Sequence, residues 1–163
     1  MIQHFFETKR LAALVIVVSI VALAFAYISE YAFGLRPCQL CVYQRLPYAV
    51  AILFGLLSFY FGRPMLLLAG LAFLANAALA GFHAGVEYGW WEGLSSCGGA
   101  LGDGASIEDL KKMLEGQDIV RCDKPAWMLF GVSMAGYNYL LSFALFLIVT
   151  LALKGKSWPQ SEK

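Results

Sequence analysis

The sequence predicts an all-α membrane protein: a bundle of four transmembrane helices with a short amphipathic helix in the second periplasmic loop. Sixty per cent of the 163 residues are hydrophobic and only 14% are charged, which leaves too little polar surface for a soluble domain. Four apolar runs also approach the roughly 20 residues that a membrane-spanning helix needs. A net charge of +1, with no basic run, gives no sign of nucleic-acid binding.

Four segments are the predicted spans. The first could instead be a signal peptide, since Ala24-Phe25-Ala26 resembles a cleavage site, but its length and its continuation to Ile28 favour a retained span. Phe61-Gly62-Arg63-Pro64 is a tight turn, which makes the second and third spans an antiparallel hairpin. The predicted spans are about 11–28, 43–61, 65–84 and 128–153, with loops of about 30–42 and 85–127 on one side.

The orientation in the membrane follows from charge and from the cysteines. Lys9, Arg10, Lys154 and Lys156 lie against the first and last spans, and positive charge near span ends favours the cytoplasm. All four cysteines fall in the two loops on the opposite side. Cysteines confined to one face in even number are typical of an oxidising compartment. The sequence therefore predicts cytoplasmic termini and periplasmic cysteine loops.

The four cysteines admit three interpretations: two structural disulfides, a zinc site or redox catalysis. Cys38 and Cys41 form a C-x-x-C pair, whereas Cys97 and Cys122 are 25 positions apart. Zinc ribbons usually supply two C-x-x-C pairs, so the spacing disfavours zinc and we predict no metal. Attachment of c-type haem requires a histidine directly after a C-x-x-C pair, and Val42 occupies that position here. This motif is therefore not a haem attachment site.

The first pair favours redox chemistry over a purely structural bond. A C-x-x-C disulfide closes a very small ring, so it gains little from loop entropy. Cys41 lies near the predicted start of the second span, where the helix dipole favours a thiolate. Arg45 lies four residues later on the same helical face, where a cation would stabilise a thiolate or a charge developing on an acceptor. The alternative is an interfacial arginine that reaches lipid head groups.

The second loop contains a predicted amphipathic helix. Ser106 is its N-cap, and Ile107, Leu110 and Leu114 form one apolar stripe, which would lie on the lipid surface. Glycines between Cys97 and this helix would make the cysteine mobile, although an ordinary loop tip would also contain them.

His83 falls at the outer end of the third span, at about the depth of Arg45. A lone histidine there is usually an interfacial residue without catalytic function. The sequence contains no dinucleotide or phosphate loop, so an electron acceptor would have to be lipid-soluble or a protein. A membrane quinone meets this requirement.

Pro37-Cys38-x-x-Cys41-x-Tyr43-x-Arg45 at the head of the second span, four spans and a second cysteine pair in a long loop resemble the DsbB family. These are quinone-dependent thiol oxidases of the bacterial inner membrane. The resemblance covers nearly the whole chain. It implies electron transfer from a periplasmic thioredoxin-fold, DsbA-like partner to ubiquinone or menaquinone.

The resemblance also implies a role for each site residue. The reduced partner would attack Cys97, and Cys122 would then attack Cys38. Cys41 would contact the quinone, with Arg45 stabilising the developing charge. His83 matches a family histidine beside the quinone, although the residues around it depart from the best-known members.

Two other functions remain open at the level of sequence. A vitamin-K-epoxide-reductase-like quinone reductase is also a four-helix bundle, but it would carry its C-x-x-C on the last span, after the loop pair. A non-catalytic membrane scaffold would use both cysteine pairs as structural disulfides, which resist mild reductant.

Overall fold

A computed structural model of the chain describes residues 2–94, 107, 108, 111 and 120–154, with side chains from residue 8 onward. Four helical segments of the described residues are long and apolar enough to cross a membrane, so the predicted four-span membrane protein is confirmed. The elements are α1 (Ile2–Tyr31), α2 (Gln39–Tyr43), α3 (Arg45–Phe61), α4 (Arg63–Glu87), β1 (Met128–Leu129), β2 (Val132–Ser133) and α5 (Met134–Lys154). The short α2 and α3 together form the second span.

The predicted start of the last span at residue 128 is wrong, because α5 begins at Met134. The residues before it form a small antiparallel hairpin in which Met128 pairs with Ser133. At its tip, Phe130 and Gly131 have φ angles of 50° and 77°. A right-handed helix cannot continue through such angles, so the apolar run breaks into a hairpin and a helix.

Two helices extend further than hydropathy predicted. α1 continues to Tyr31 and α4 continues to Glu87, each three residues past the predicted end. The extensions bring Glu30 and Glu87 into the helical bundle, where each carboxylate faces a basic side chain. Hydropathy ends a span at a charged residue, whereas a paired charge can lie within the protein.

Gly62 joins α3 to α4 in a single residue with a φ of 72°. Its amide donates to the Ser58 carbonyl, and Pro64 stands in the first turn of α4. The predicted antiparallel hairpin is therefore confirmed. As a result, the C-terminal ends of α1 and α4 meet the N-terminal ends of α3 and α5 at the opposite end of the bundle, which we call the loop end.

α4 is the most enclosed helix, packing against α3 on one side and α5 on the other, while α1 packs mainly on α3. Its buried face carries small residues such as Ala69 and Gly70. A Cβ at Gly70 would lie 3.2 Å from Val149 of α5, so the two helices approach closely, as membrane helices with small residues do. Large apolar side chains elsewhere on the helices are exposed and would face lipid.

Only part of the predicted amphipathic helix is described. Ile107, Glu108 and Lys111 are helical, while the predicted cap Ser106 lies outside the described residues. Cys97 and the glycines that follow it also lie outside them.

Candidate functional site

Cys38 and Cys41 lie together at the loop end, in the turn that starts the second span. Cys38 is the N-cap of α2, and both cysteines are free thiols. The Cys41 thiol donates to Cys38 Sγ at 3.1 Å, and the Cys41 backbone N–H donates to the same sulfur at 3.4 Å. The two contacts therefore stabilise negative charge on Cys38, whereas the sequence indicated Cys41.

His83 of α4 is brought directly to this pair. Its side chain is 2% exposed, and Nε2 lies 3.4 Å from Cys38 Sγ. The hydrogen bond from the Cys41 thiol, opposed by burial and assisted by His83, lowers the pKa of the Cys38 thiol to about 4. Cys38 is thus the more acidic thiol, because its sulfur receives several donors at once.

A chain of polar side chains lies behind His83. Gln44 Nε2 donates to His83 Nδ1 at 2.8 Å, and Asn138 Nδ2 donates to Gln44 Oε1. Asn138 Oδ1 in turn accepts from the Tyr48 hydroxyl. These contacts join α3, α4 and α5 inside the bundle, where an unpaired polar group would be costly. Sequence reasoning missed this chain, although His83 and Asn138 stand out as polar residues within predicted spans.

Arg45 does not reach out toward head groups. Its Nη1 lies 2.6 Å from Glu30 Oε2, and its guanidinium stacks over the Tyr27 ring at 4.6 Å. The Arg45 side chain is 16% exposed. The register of Arg45 with Cys41 was predicted, but its partners on α1 were not.

A cavity of about 390 Å³ lies between α1, α3 and α5. Within the described residues, α1 and α5 make little direct contact with each other. Apolar side chains of α1 and α5 form most of its wall, and Trp127 stacks edge-on against Phe25 beside it. Its polar lining comes from Cys41, Gln44, Arg45, Tyr48, His83, Tyr137 and Asn138. We call this the lipid-side cavity.

A smaller cavity of about 110 Å³, the loop-side cavity, lies on the other side of the cysteine pair. It is lined by Cys38 and by several charged groups. Arg121 at its edge pairs with Asp123 and holds the pKa of that carboxyl below its usual range. The charged groups that line it are Arg36, Arg45, Glu87, Arg121 and Lys124.

Cys122 is fully buried and disulfide-bonded. It belongs to the same buried cluster as Cys38, together with Leu40 and Val86. The structure therefore brings the second-loop cysteine to the C-x-x-C, although 84 positions separate Cys122 from Cys38. Cys97, its predicted pair, lies outside the described residues.

The sulfurs of Cys38 and Cys41 and a ring nitrogen of His83 lie within 4.8 Å of one another. Structural zinc sites close with four ligands, and a cysteine held in a disulfide offers no thiolate. The bonded Cys122 therefore does not complete the four-thiolate zinc site that the spacing already disfavoured.

Comparison with known proteins gives a consistent result. The family described as "Disulfide bond formation protein DsbB" matches residues 8–152. An uncharacterized protein of Rickettsia prowazekii is 36% identical over 160 residues, which cover 95% of this chain and 91% of the relative. Disulfide bond formation protein B of Acinetobacter baumannii is 29% identical over 154 residues, 88% of each chain. The protein of that name from Albidiferax ferrireducens is 26% identical over 160 residues, 89% of this chain and 86% of the relative. No solved structure matches the chain.

Proposed function

Because the chain belongs to the DsbB family of disulfide bond formation proteins, we propose that it reoxidises a periplasmic DsbA-like dithiol protein and passes the electrons to membrane quinone. The family and the four spans make it a multi-pass inner membrane protein. In the proposed orientation, the termini are cytoplasmic and both cysteine loops are periplasmic.

The relay runs from the second loop to the first. The reduced partner attacks Cys97, and this exchange releases the Cys122 thiolate. In the oxidised enzyme Cys38 is bonded to Cys41, so attack of Cys122 on Cys38 breaks that bond and releases Cys41 as a thiolate. Each exchange forms one S–S bond and breaks another, so two electrons move to the C-x-x-C pair without a free radical. The shared buried cluster of Cys122 and Cys38 supports this order, because the attack needs the two sulfurs within reach.

The observation that carries the quinone assignment is that Cys41 lines an apolar cavity between α1 and α5. Apolar walls with a few convergent polar groups suit a small ring carried on an apolar tail. Bound there, ubiquinone or menaquinone supplies an acceptor for two electrons and two protons. Cys41, Arg45 and His83 would hold its polar head.

The chain's own residues prepare this acceptor site. Arg45 keeps a cation at the cavity, and its pairing with Glu30 limits the cost of burying that charge. Tyr48 and Asn138 present hydrogen-bonding groups at the polar end. Phe25 and Trp127 contribute aromatic walls to the cavity, and these suit an apolar ring.

The competing functions fit less well. A scaffold with two structural disulfides gives no role to the buried His83 beside Cys38 or to an apolar cavity lined by Cys41. A vitamin-K-epoxide-reductase-like enzyme would carry its C-x-x-C on the last span, but α5 contains no cysteine.

The decisive experiment uses purified protein in lipid vesicles with a reduced thioredoxin-fold dithiol. Quinone reduction is followed spectroscopically, first with ubiquinone and then with menaquinone. We expect wild type to reduce one of them and Cys41→Ser to lose the reaction. Val42→Ser, the same polar replacement one residue later, should remain active because Val42 lies outside the cavity lining. Failure of wild type with both quinones and several dithiols would favour the scaffold.

A further inference from the structure

Gln44 lies between the redox pair and the interior of the bundle, in the turn between α2 and α3. It is a buried side chain, 6% exposed, near the start of the second span. Both ends of its amide are engaged, with Nε2 on His83 and Oε1 on Asn138. A buried amide held at both ends cannot rotate without losing two hydrogen bonds.

The donors and acceptors along this chain have a fixed direction. The Tyr48 hydroxyl donates to Asn138 Oδ1, so the Asn138 amide nitrogen faces Gln44 Oε1. The Gln44 amide nitrogen must then face His83. An amide nitrogen only donates, so His83 Nδ1 accepts and the ring proton of the neutral imidazole resides on Nε2.

His83 Nε2 faces Cys38 Sγ at 3.4 Å. An N–H aimed at a sulfur stabilises it most when the sulfur carries negative charge. The opposite tautomer would present a bare nitrogen lone pair to the thiolate, which is repulsive. The tautomer of His83 therefore decides whether it favours or disfavours a thiolate at Cys38.

We infer that Gln44 is a positioning residue that fixes the tautomer of His83, so that the Nε2–H of His83 is permanently directed at the Cys38 sulfur. This inference rests on the proposed function at one point: the proposed relay places Cys38 in a disulfide bond from which it later departs. The relay forms a Cys122–Cys38 disulfide, and when a thiolate later attacks Cys122, a new S–S bond forms and the Cys122–Cys38 bond breaks. Cys38 departs with the electron pair, and the Nε2–H bond stabilises it without a proton transfer.

Other charged and titratable groups surround the same sulfur and affect its ionisation. Other acceptors also face the His83 ring: Glu87 Oε1 lies 3.7 Å from Nε2, and the backbone of Cys122 hydrogen-bonds to the ring. The remaining groups that face Cys38 directly or across the loop-side cavity are Cys41, Arg36, Arg45, Arg121 and Lys124. The hydrogen bond that the structure gives to His83 Nδ1 is the one from Gln44 at 2.8 Å, and Gln44 is therefore the residue whose amide sets the tautomer.

The first test observes the tautomer directly. The chain has two histidines, His4 and His83, so His4→Gln protein labelled with ¹⁵N-histidine gives the signal of one imidazole. We expect Nε2 protonated and Nδ1 unprotonated when the ring is neutral, and a mixture of tautomers in Gln44→Leu. A neutral ring protonated on Nδ1 in the parent protein would overturn the inference, even if every Gln44 variant failed to fold.

The second test measures the ionisation of the Cys38 thiol. Cys41→Ser, Cys97→Ala and Cys122→Ala together leave one thiol, whose thiolate absorbance is titrated with pH. Adding Gln44→Leu should raise the pH midpoint by about one unit, a tenfold change in ionisation. Gln44→Glu should not raise it, because a carboxylate accepts from Nδ1–H and leaves both ring nitrogens protonated. Gln39→Glu adds the same charge at an exposed position of α2 and serves as the matched control.

The two failures are distinguishable because neither measurement contains quinone or a partner protein. An unchanged midpoint in folded Gln44→Leu protein would reject the role of Gln44 while leaving the oxidase proposal intact. A shifted midpoint in a protein that reduces no quinone would support the role of Gln44 and reject the oxidase proposal.

Discussion

The two cavities beside the C-x-x-C pair differ in size, in lining and in the sulfur they contact. The lipid-side cavity is about 390 Å³, mostly apolar and lined by Cys41 but not by Cys38. The loop-side cavity is about 110 Å³, is lined by charged residues and contacts both sulfurs. Two cysteines three residues apart therefore face two different environments. A relay between a water-soluble protein and a lipid-soluble acceptor needs such a separation.

Local geometry explains how so short a motif achieves this. Cys38 precedes the helix, with extended backbone angles of −73° and 169°, while Cys41 already belongs to the first turn of α2. Pro37 favours the extended conformation of its predecessor, which keeps the approach to Cys38 outside the helix. Cys38 can then contact the buried Cys122 cluster while Cys41 turns toward α1.

The largest expected effect separates the two sulfurs chemically. With Cys41→Ser, the Cys38 thiolate should attack Cys122 in its disulfide. An interloop Cys38–Cys122 disulfide should then accumulate, and the former bond partner of Cys122 should leave as a thiolate. With Cys38→Ser, no interloop disulfide should form. Non-reducing electrophoresis and mass mapping of the cross-link measure both. An equal yield of the Cys122 cross-link to Cys41 would show that the two sulfurs are interchangeable.

The next prediction tests the cation of the lipid-side cavity. Arg45→Met should raise the quinone concentration needed for half-maximal rate about tenfold, equivalent to about 1.4 kcal/mol, because the cavity loses its cation. Glu30→Gln keeps the cation and removes its partner, so its effect should be smaller. Steady-state kinetics over a range of quinone give both values. Unchanged kinetics in Arg45→Met would remove Arg45 from the acceptor site.

A third substitution tests the segment that follows α4. Trp91 folds back onto α4, donating Nε1–H to the Phe82 carbonyl at 2.8 Å and covering Gly85. A Cβ at Gly85 would collide with the Trp91 ring, so Gly85→Ala should lower the free energy of unfolding by about 1–3 kcal/mol. Gly81→Ala, whose Cβ would meet Tyr139 at 3.2 Å, should cost less. Thermal unfolding in detergent compares the two variants with wild type. Equal stability of Gly85→Ala and wild type would contradict the close contact between Gly85 and Trp91.

The smallest effect concerns the hydrogen-bond chain. Tyr48→Phe removes the donor to Asn138 and should cost about 0.6–1 kcal/mol, the usual range for an interhelical hydrogen bond in a membrane protein. Tyr60→Phe removes a hydroxyl from a side chain that is 88% exposed and should change nothing. Denaturation in mixed micelles measures both. A Tyr48→Phe protein as stable as Tyr60→Phe would show that the chain adds no stability.

Local parts of the site could be predicted from sequence, whereas its long-range contacts could not. The position of Arg45 one turn after Cys41 follows from helical periodicity, and the turn at Gly62 follows from its residue types. Glu30 and Asn138 reach the site from other helices, and Asn138 is 94 positions from Gln44. Periodicity along one helix does not determine which faces of two helices meet.

The hairpin before α5 shows a different limit. Met128, Leu129 and Phe130 are apolar, so hydropathy alone extends the last span across them. The local signal was Gly131, which supplies a positive φ at the hairpin tip. Hydropathy measures the solvent that a segment prefers and does not measure the backbone angles that it adopts.

The wall of the lipid-side cavity is exposed on the bundle surface, and this determines the units in which the affinity of the cavity for a ligand must be expressed. Val21 and Phe25, which line it, are 61% and 52% exposed on the bundle surface, so a ligand entering between α1 and α5 arrives from within the bilayer. The relevant concentration of the ligand is then its mole fraction in the lipid phase and not its molar concentration in the whole sample. Adding lipid or detergent at constant total quinone should dilute the ligand at this surface and lower occupancy, although nothing in the aqueous phase has changed.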